Sequence, residues 1–267
     1  MIAQIGSELR KFVSTRMGGW LLLLMVGYMA FLAATMAFAL TGGQVDSSTP
    51  TQVLSPLALV RAVYTIAVSL GYVFPVIVGT LAVTAEFRHH TIATTFLFEP
   101  SRTRFVLAKF AAMVPVGLAF GVAGIGAGVG AGAGVLAIRG HATMLNDASV
   151  WASIGMGVAA LTVWALVGVG VGLMVTNQVA AVVIILAFTQ FVEPIARMAL
   201  PAALGAAGSK VASFLPGAAG ESMAQGSIYS AFTTGSLLSW WQGALVLIAY
   251  ALVFAAIGRL TTLRRDV

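Results

Sequence analysis

Few side chains in this sequence can do chemistry. There is no Cys, so disulfides and thiolate metal sites are excluded. His89, His90 and His141 have no metal-ligand spacing with nearby carboxylates. The phosphate-cradling pattern G-x-x-x-x-G-K-[ST] is absent, and no Gly-Lys pair occurs anywhere. The chain is therefore not expected to be an enzyme, and no cofactor is expected on it.

Three polar groups stand out against apolar surroundings. Gln190, Glu193 and Arg197 follow one another at spacings of three and four, which is one face of a helix. Counted from Val179 at about 1.5 Å per residue, Glu193 lies roughly 21 Å up that helix, about two-thirds of the way through a membrane core of ~30 Å. A lone carboxylate there is costly, and Arg197 follows in the favourable Glu-to-Arg order. Two readings stand. The pair neutralises itself, with Arg197 snorkelling outward and Pro194 bending the helix, or Glu193 borders a pathway and meets substrate. The second group is Glu86-Phe87-Arg88-His89-His90-Thr91. The third is Asn177-Gln178, which reads as turn chemistry or as a smaller contact to a partner.

These groups sit in a chain of 267 residues that is 60% apolar and only 8% charged, with a mean hydropathy of +1.00. A soluble domain carries roughly 25% charged residues. So few charges cannot cover a water-facing surface, so the chain reads as an all-α, polytopic membrane protein and a single transmembrane domain over 1–267. The pattern gives six spans, at about 19–40, 57–84, 105–138, 151–175, 179–200 and 238–258. The second and third are overlong and must tilt or extend into water. The first apolar run is too long for a signal peptide core, despite the small residues at Ala37-Phe38-Ala39.

Basic residues set the orientation. With both termini cytoplasmic, the inside holds Arg10, Lys11, Arg16, Arg88, Arg102, Arg104, Lys109, Arg259, Arg264 and Arg265. The outside holds Arg61, Arg139, Arg197 and Lys210. Ten against four is a positive-inside bias. The acids split evenly, so the formal charge of +6 is a cytoplasmic surplus facing anionic lipid, and no nucleic-acid partner is needed.

Outside the spans, residues 4–17 place Ile5, Leu9, Phe12 and Val13 on one face of an interfacial helix. The charged residues Glu86, Arg88 and Arg102 belong at or below the cytoplasmic surface. Glu86 to Phe98 has no breaker and is expected to form one helix, ended by Pro100, with Ser101 capping the third span. The outer connection from Pro201 to Ser236 is too apolar for a solvated loop and reads as re-entrant short helices broken at Pro216-Gly217. The glycines of span three, from Gly117 to Gly134, are expected to let helices pack closely. Trp20, Trp151, Trp240 and Trp241 fall at span ends, as interface anchors do.

With this layout, the Glu-Phe-Arg-His-His-Thr-Ile segment after span two and the run Pro-Ser-Arg-Thr-Arg-Phe-x-x-x-Ala-Lys (Pro100 to Lys109), the chain resembles the permease subunits of ABC-2-type ATP-binding-cassette transporters. His90 stands where that family often has Gly. The resemblance implies a dimer with a second permease copy or paralogue, served by a separate cytoplasmic ABC ATPase subunit that holds the ATP and Mg. It implies export of a lipid, glycan, drug or peptide across a bacterial cell membrane. The segment from Glu86 to Phe98 would be the coupling helix, residues before span one the elbow helix, and the outer segment a re-entrant gate. Two other classes remain open: a secondary transporter, which would need a polar coupling site at mid-membrane, and a non-transporting assembly or scaffold protein.

Overall fold

The computed structural model describes residues 2–42, 55–98, 101–229 and 237–262. In chain order the helices are α1 (Ile2–Ser14), α2 (Arg16–Gly42), α3 (Pro56–Tyr64), α4 (Ile66–Ser69), α5 (Val73–Arg88) and α6 (Ile92–Phe98). They continue with α7 (Arg102–Ile138), α8 (Ala148–Met174), α9 (Gln178–Ala187), a π turn at Phe188–Val192, α10 (Glu193–Ala212), α11 (Pro216–Ala224) and α12 (Trp240–Thr261). Among the described residues there is no strand. Among the described residues, five helices are long and apolar enough to cross a membrane: α2, α7, α8, the run Gln178–Ala212 and α12.

The expected second span is not one helix. It is α3, α4 and α5, interrupted at Thr65 and at Leu70–Tyr72. Ser55 caps the start, its Oγ accepting from Ala58 N at 3.2 Å, and Pro56 follows at the position where a missing N–H does no harm. The second interruption has a visible cause. Pro75 has no N–H to return to the Gly71 carbonyl, and Phe74 N donates to that carbonyl at 3.1 Å in a tighter turn instead. The N-terminal helix also stops earlier than expected: Thr15 Oγ1 donates to Lys11 O and Phe12 O at 2.8 Å and closes α1. Ser101 caps α7 as expected, accepting from Arg104 N at 3.4 Å.

α8 is the centre of the bundle and touches α5, α7, α11 and α12. Small residues make this possible. A Cβ on Gly79 would run into the Ala165 carbonyl, and one on Gly168 into the Val76 carbonyl, so α5 and α8 meet backbone to backbone. Thr80 Oγ1 then donates across the joint to Gly168 O at 2.9 Å. In α7, Gly117 and Gly121 face α8, while Gly124 faces Met25 of α2. Gly126, Gly130 and Gly134 face open space, so only part of the glycine run packs within the chain.

The run from α9 to α10 lies at the edge. It is long, but only 22% of its most apolar stretch is buried, against 56% for α8. The chain reverses at Gly205 (φ 56°), whose lack of a Cβ permits that backbone, and Gly208 then lies against the Leu200 carbonyl. α11 begins at Pro216, and all nine of its residues are buried. The break expected at Pro216-Gly217 is the start of α11, and the sharp turn at Gly205 lies upstream of it. Trp20, Trp151, Trp240 and Trp241 are all at least half exposed at helix ends. The expected helix stop at Pro100 and part of the outer connection, 230–236, lie outside the described residues.

Candidate functional site

Two clusters of buried charge occupy opposite ends of the bundle. The first lies where α1 docks. Ile5, Leu9 and Phe12 pack against the core, and Phe12 meets Phe120 of α7 edge-on with ring centroids 6.5 Å apart. Glu8 shares that face and is carried inward with it. It meets Lys109 of α7, which is 1% exposed. The Lys109 ammonium donates to Glu8 Oε2, to Glu86 Oε1 and, at 2.8 Å, to Ala82 O. All three of its N–H groups are used. Lys11 donates to Glu8 Oε1 at 2.7 Å and to Glu86 Oε1 at 2.9 Å.

Two carboxylates thus face two ammonium groups, and α1, α5 and α7 are tied at one point. Burial pushes the Glu8 carboxyl up, but Lys109 and Lys11 outweigh it and hold the group below its ordinary value. Burial pushes Lys11 down, and its bonds to Glu8 and Glu86 outweigh that and raise it.

The helix expected over Glu86 to Phe98 is interrupted. Glu86 is 4% exposed at the end of α5, not on a polar front. Thr91 N donates to Glu86 O at 3.0 Å and His90 N to Phe87 O at 3.3 Å. This pair of bonds is a Schellman turn, with His90 in the left-handed region at φ 56°. Glycine is the usual residue there. Phe87 is part of the core margin, Arg88 and His89 are exposed, and Thr91 precedes α6. α6 is fixed by buried Ile92 and by Phe96 stacked edge-on against Phe105 at 5.3 Å, and it leaves Leu97 81% exposed. Asn177 Oδ1 accepts from Val179 N at 3.0 Å and Ala180 N at 3.1 Å, so it caps α9. Gln178 Oε1 accepts from Arg88 at 3.3 Å and joins the two turns.

The second cluster lies around α11. The expected polar face of Gln190, Glu193 and Arg197 does not form as a unit. The π turn shifts the helical phase between them, leaving Gln190 exposed and Glu193 1% exposed. Nor does Arg197 pair with Glu193. Its guanidinium donates to Glu221 of α11 and lies 4.1 Å over the Tyr229 ring. Arg197 is turned inward, so it does not snorkel. Glu193 instead sits at the N-terminus of α11, where Oε1 accepts from Gly217 N at 2.6 Å and Ala218 N at 3.2 Å. The Tyr72 hydroxyl lies 3.3 Å from both Glu193 Oε2 and Thr189 O. Tyr72 itself stacks on Trp164 with centroids 4.3 Å apart. Ser227 also donates to Glu221 Oε2. Among the described residues, Glu221 Oε1 and Trp164 Nε1 are buried without a hydrogen-bond partner.

Three partners escaped the sequence reading. Glu8 falls three residues after Ile5 and four before Phe12, on the apolar stripe, which was its signal. Lys109 is four residues after Phe105 on the buried face of α7. Glu221 is the only acid in the apolar stretch from Pro201 to Ser236, and such a charge needs a partner. Among the described residues, no three His, Asp or Glu side chains converge on a metal position. No family model matches the chain, and no curated protein matches it.

Proposed function

We propose that this chain is the permease subunit of an ABC-2-type, ATP-driven exporter. It crosses a bacterial cell membrane six times, with α3 to α5 as the broken second crossing and both termini cytoplasmic. It works as half of a permease dimer and is driven by a separate ATPase subunit that holds ATP and Mg. The cargo class is a lipid, glycan, drug or peptide. One observation supports this reading above the others: the joint between α5 and α7. The His90 turn sends α6 out at the basic end with Leu97 81% exposed. Directly beneath it, Glu86 is tied to α7 through Lys109 and to α1 through Lys11. A push on α6 therefore bears on three helices at once.

The test is to purify the chain with its co-purifying partners and measure ATP hydrolysis in proteoliposomes. An ATPase subunit should co-purify, and Leu97→Glu should remove most of the coupled hydrolysis while leaving the protein inserted. Absence of an ATPase, or unchanged hydrolysis in the variant, rejects the proposal.

A second reading, a secondary transporter, is favoured by the α11 cluster. Broken helices and a short helix whose N-terminus faces a buried carboxylate are the parts such proteins use at their coupling sites. Transport driven by an ion gradient alone, without nucleotide, would select it.

A further inference from the structure

A cavity of about 620 Å³ opens beside the basic-end cluster, between α1, α2, α5 and α7. Its size lies within the ~300–1,000 Å³ of small-molecule sites. Its two halves differ in chemistry. One wall is apolar, made by Phe12, Leu21, Val78, Leu81 and Met113. The other carries Lys11, Arg88 and His89. The acids on this wall, Glu8 and Glu86, are already neutralised by Lys109 and Lys11. Arg88 therefore leaves the wall with a positive surplus. Lys11 uses two of its three N–H groups on Glu8 and Glu86, and its side chain is 51% exposed. Arg88 is exposed and gives one N–H to Gln178. Both retain donors for an anion. Access from the side is also built in, because Met17 lines the cavity and is 52% exposed on α2, next to Trp20, whose ring faces outward.

From this we infer that the cavity holds one anionic phospholipid from the adjacent leaflet, its phosphate on Arg88 and Lys11 and one acyl chain along α2 and α5. A cation is opposed by the surplus charge. A neutral amphiphile forgoes the charge-assisted bonds to Arg88 and Lys11, and a polar anion leaves the apolar wall in water. Guanidinium with phosphate is a strong, charge-assisted pairing. The lipid would brace α1 against α5 beside the Glu8–Lys109–Glu86 tie. The inference requires only that α2 and α7 lie in a membrane, so it survives if no ATPase partner exists.

The test uses the full chain in an uncharged detergent, with thermal unfolding and native mass spectrometry as readouts. Dioctanoyl phosphatidylglycerol should bind one per chain and raise the unfolding temperature with saturation. Dioctanoyl phosphatidylcholine, glycerol phosphate and a neutral octyl glycoside, each at the same concentration, should not. Arg88→Gln should weaken phosphatidylglycerol binding by about tenfold, in line with loss of a hydrogen bond between charged groups. Leu81→Trp, which fills the apolar wall, should abolish the effect. Equal stabilisation by the zwitterionic lipid, stabilisation by glycerol phosphate alone, or several lipids bound without saturation overturns the inference. So does wild-type affinity in Arg88→Gln, an exposed position where folding is not at risk and which decides the matter if Leu81→Trp fails to fold.

Discussion

At the basic end of the bundle, two carboxylates meet two ammonium groups. At the α11 end, two carboxylates meet one guanidinium and the N-terminus of a short helix. The first arrangement balances its charge, and Lys109 places every N–H it has. It joins α1 to α5 and α7, and α7 is among the best-packed spans. The second is short of positive charge and leaves Glu221 Oε1 and Trp164 Nε1 unpaired, while the first leaves one carboxylate oxygen, Glu86 Oε2, unpaired. It is hung on a peripheral helix with a π turn, and it holds that helix to α11 mainly by polar bonds. Balanced charge that ties three helices makes a fixed joint. Unbalanced charge on a loosely packed helix makes a place where a proton or a polar ligand changes the geometry. On the proposed function, the first cluster would transmit force and the second would serve passage or gating.

The largest effect expected is at Lys109. Lys109→Met leaves Glu8 and Glu86 facing each other with only Lys11 nearby. Breaking a buried ion pair on one side costs about 3–5 kcal/mol, so unfolding in detergent should shift to much lower temperature. Lys11→Met removes a half-exposed partner from the same carboxylates and should cost no more than ~1 kcal/mol. If the two substitutions have equal effects, the buried tie is not what joins α1 to the bundle.

The second effect concerns the α11 end. In a double-mutant cycle, Arg197→Gln and Glu221→Gln should couple by about 1–3 kcal/mol, as direct partners do. Arg197→Gln and Glu193→Gln should couple more weakly than that pair, because Glu193 is hydrogen-bonded to the Gly217 and Ala218 N–H groups and not to Arg197. The reverse ordering would restore the self-neutralising pair that the spacing of residues 193 and 197 suggests.

What the sequence makes legible follows from what each signal measures. Long apolar runs give the candidate spans α2, α7, α8, Gln178–Ala212 and α12, because crossing lipid leaves the backbone little choice but a helix. The cap at Ser101 is local chemistry and is found where local rules put it, and Asn177, expected as turn chemistry, caps α9. The broken second span was hidden because Pro75 and Gly71 sit in an otherwise continuous apolar run, and hydropathy does not register a lost N–H. The Glu193–Arg197 pairing failed for a related reason. A spacing of four predicts an ion pair only if nothing else competes, and Glu221 is 24 residues further along the chain, beyond the reach of any periodicity. The same holds for Glu8 and Lys109, which are 101 residues apart. Long-range charge pairing is legible only as an unexplained buried charge, never as a named partner.

The smallest expected effect tests whether the joint above the first cluster is set by its own backbone. His90 is held at φ 56° by two bonds, Thr91 N to Glu86 O and His90 N to Phe87 O. A residue with a Cβ pays roughly 1–2 kcal/mol for left-handed backbone, while glycine adopts it freely and loses about 0.5–1 kcal/mol through its greater unfolded-state entropy. His90→Gly should therefore stabilise by about 0.5–1 kcal/mol, read as a small rise in unfolding temperature. His90→Val should lower it, since a β-branched side chain tolerates this backbone least. If valine proves as stable as histidine, the turn is not held in this form, and the packing of Ile92 and Phe96, not the backbone, decides where α6 points.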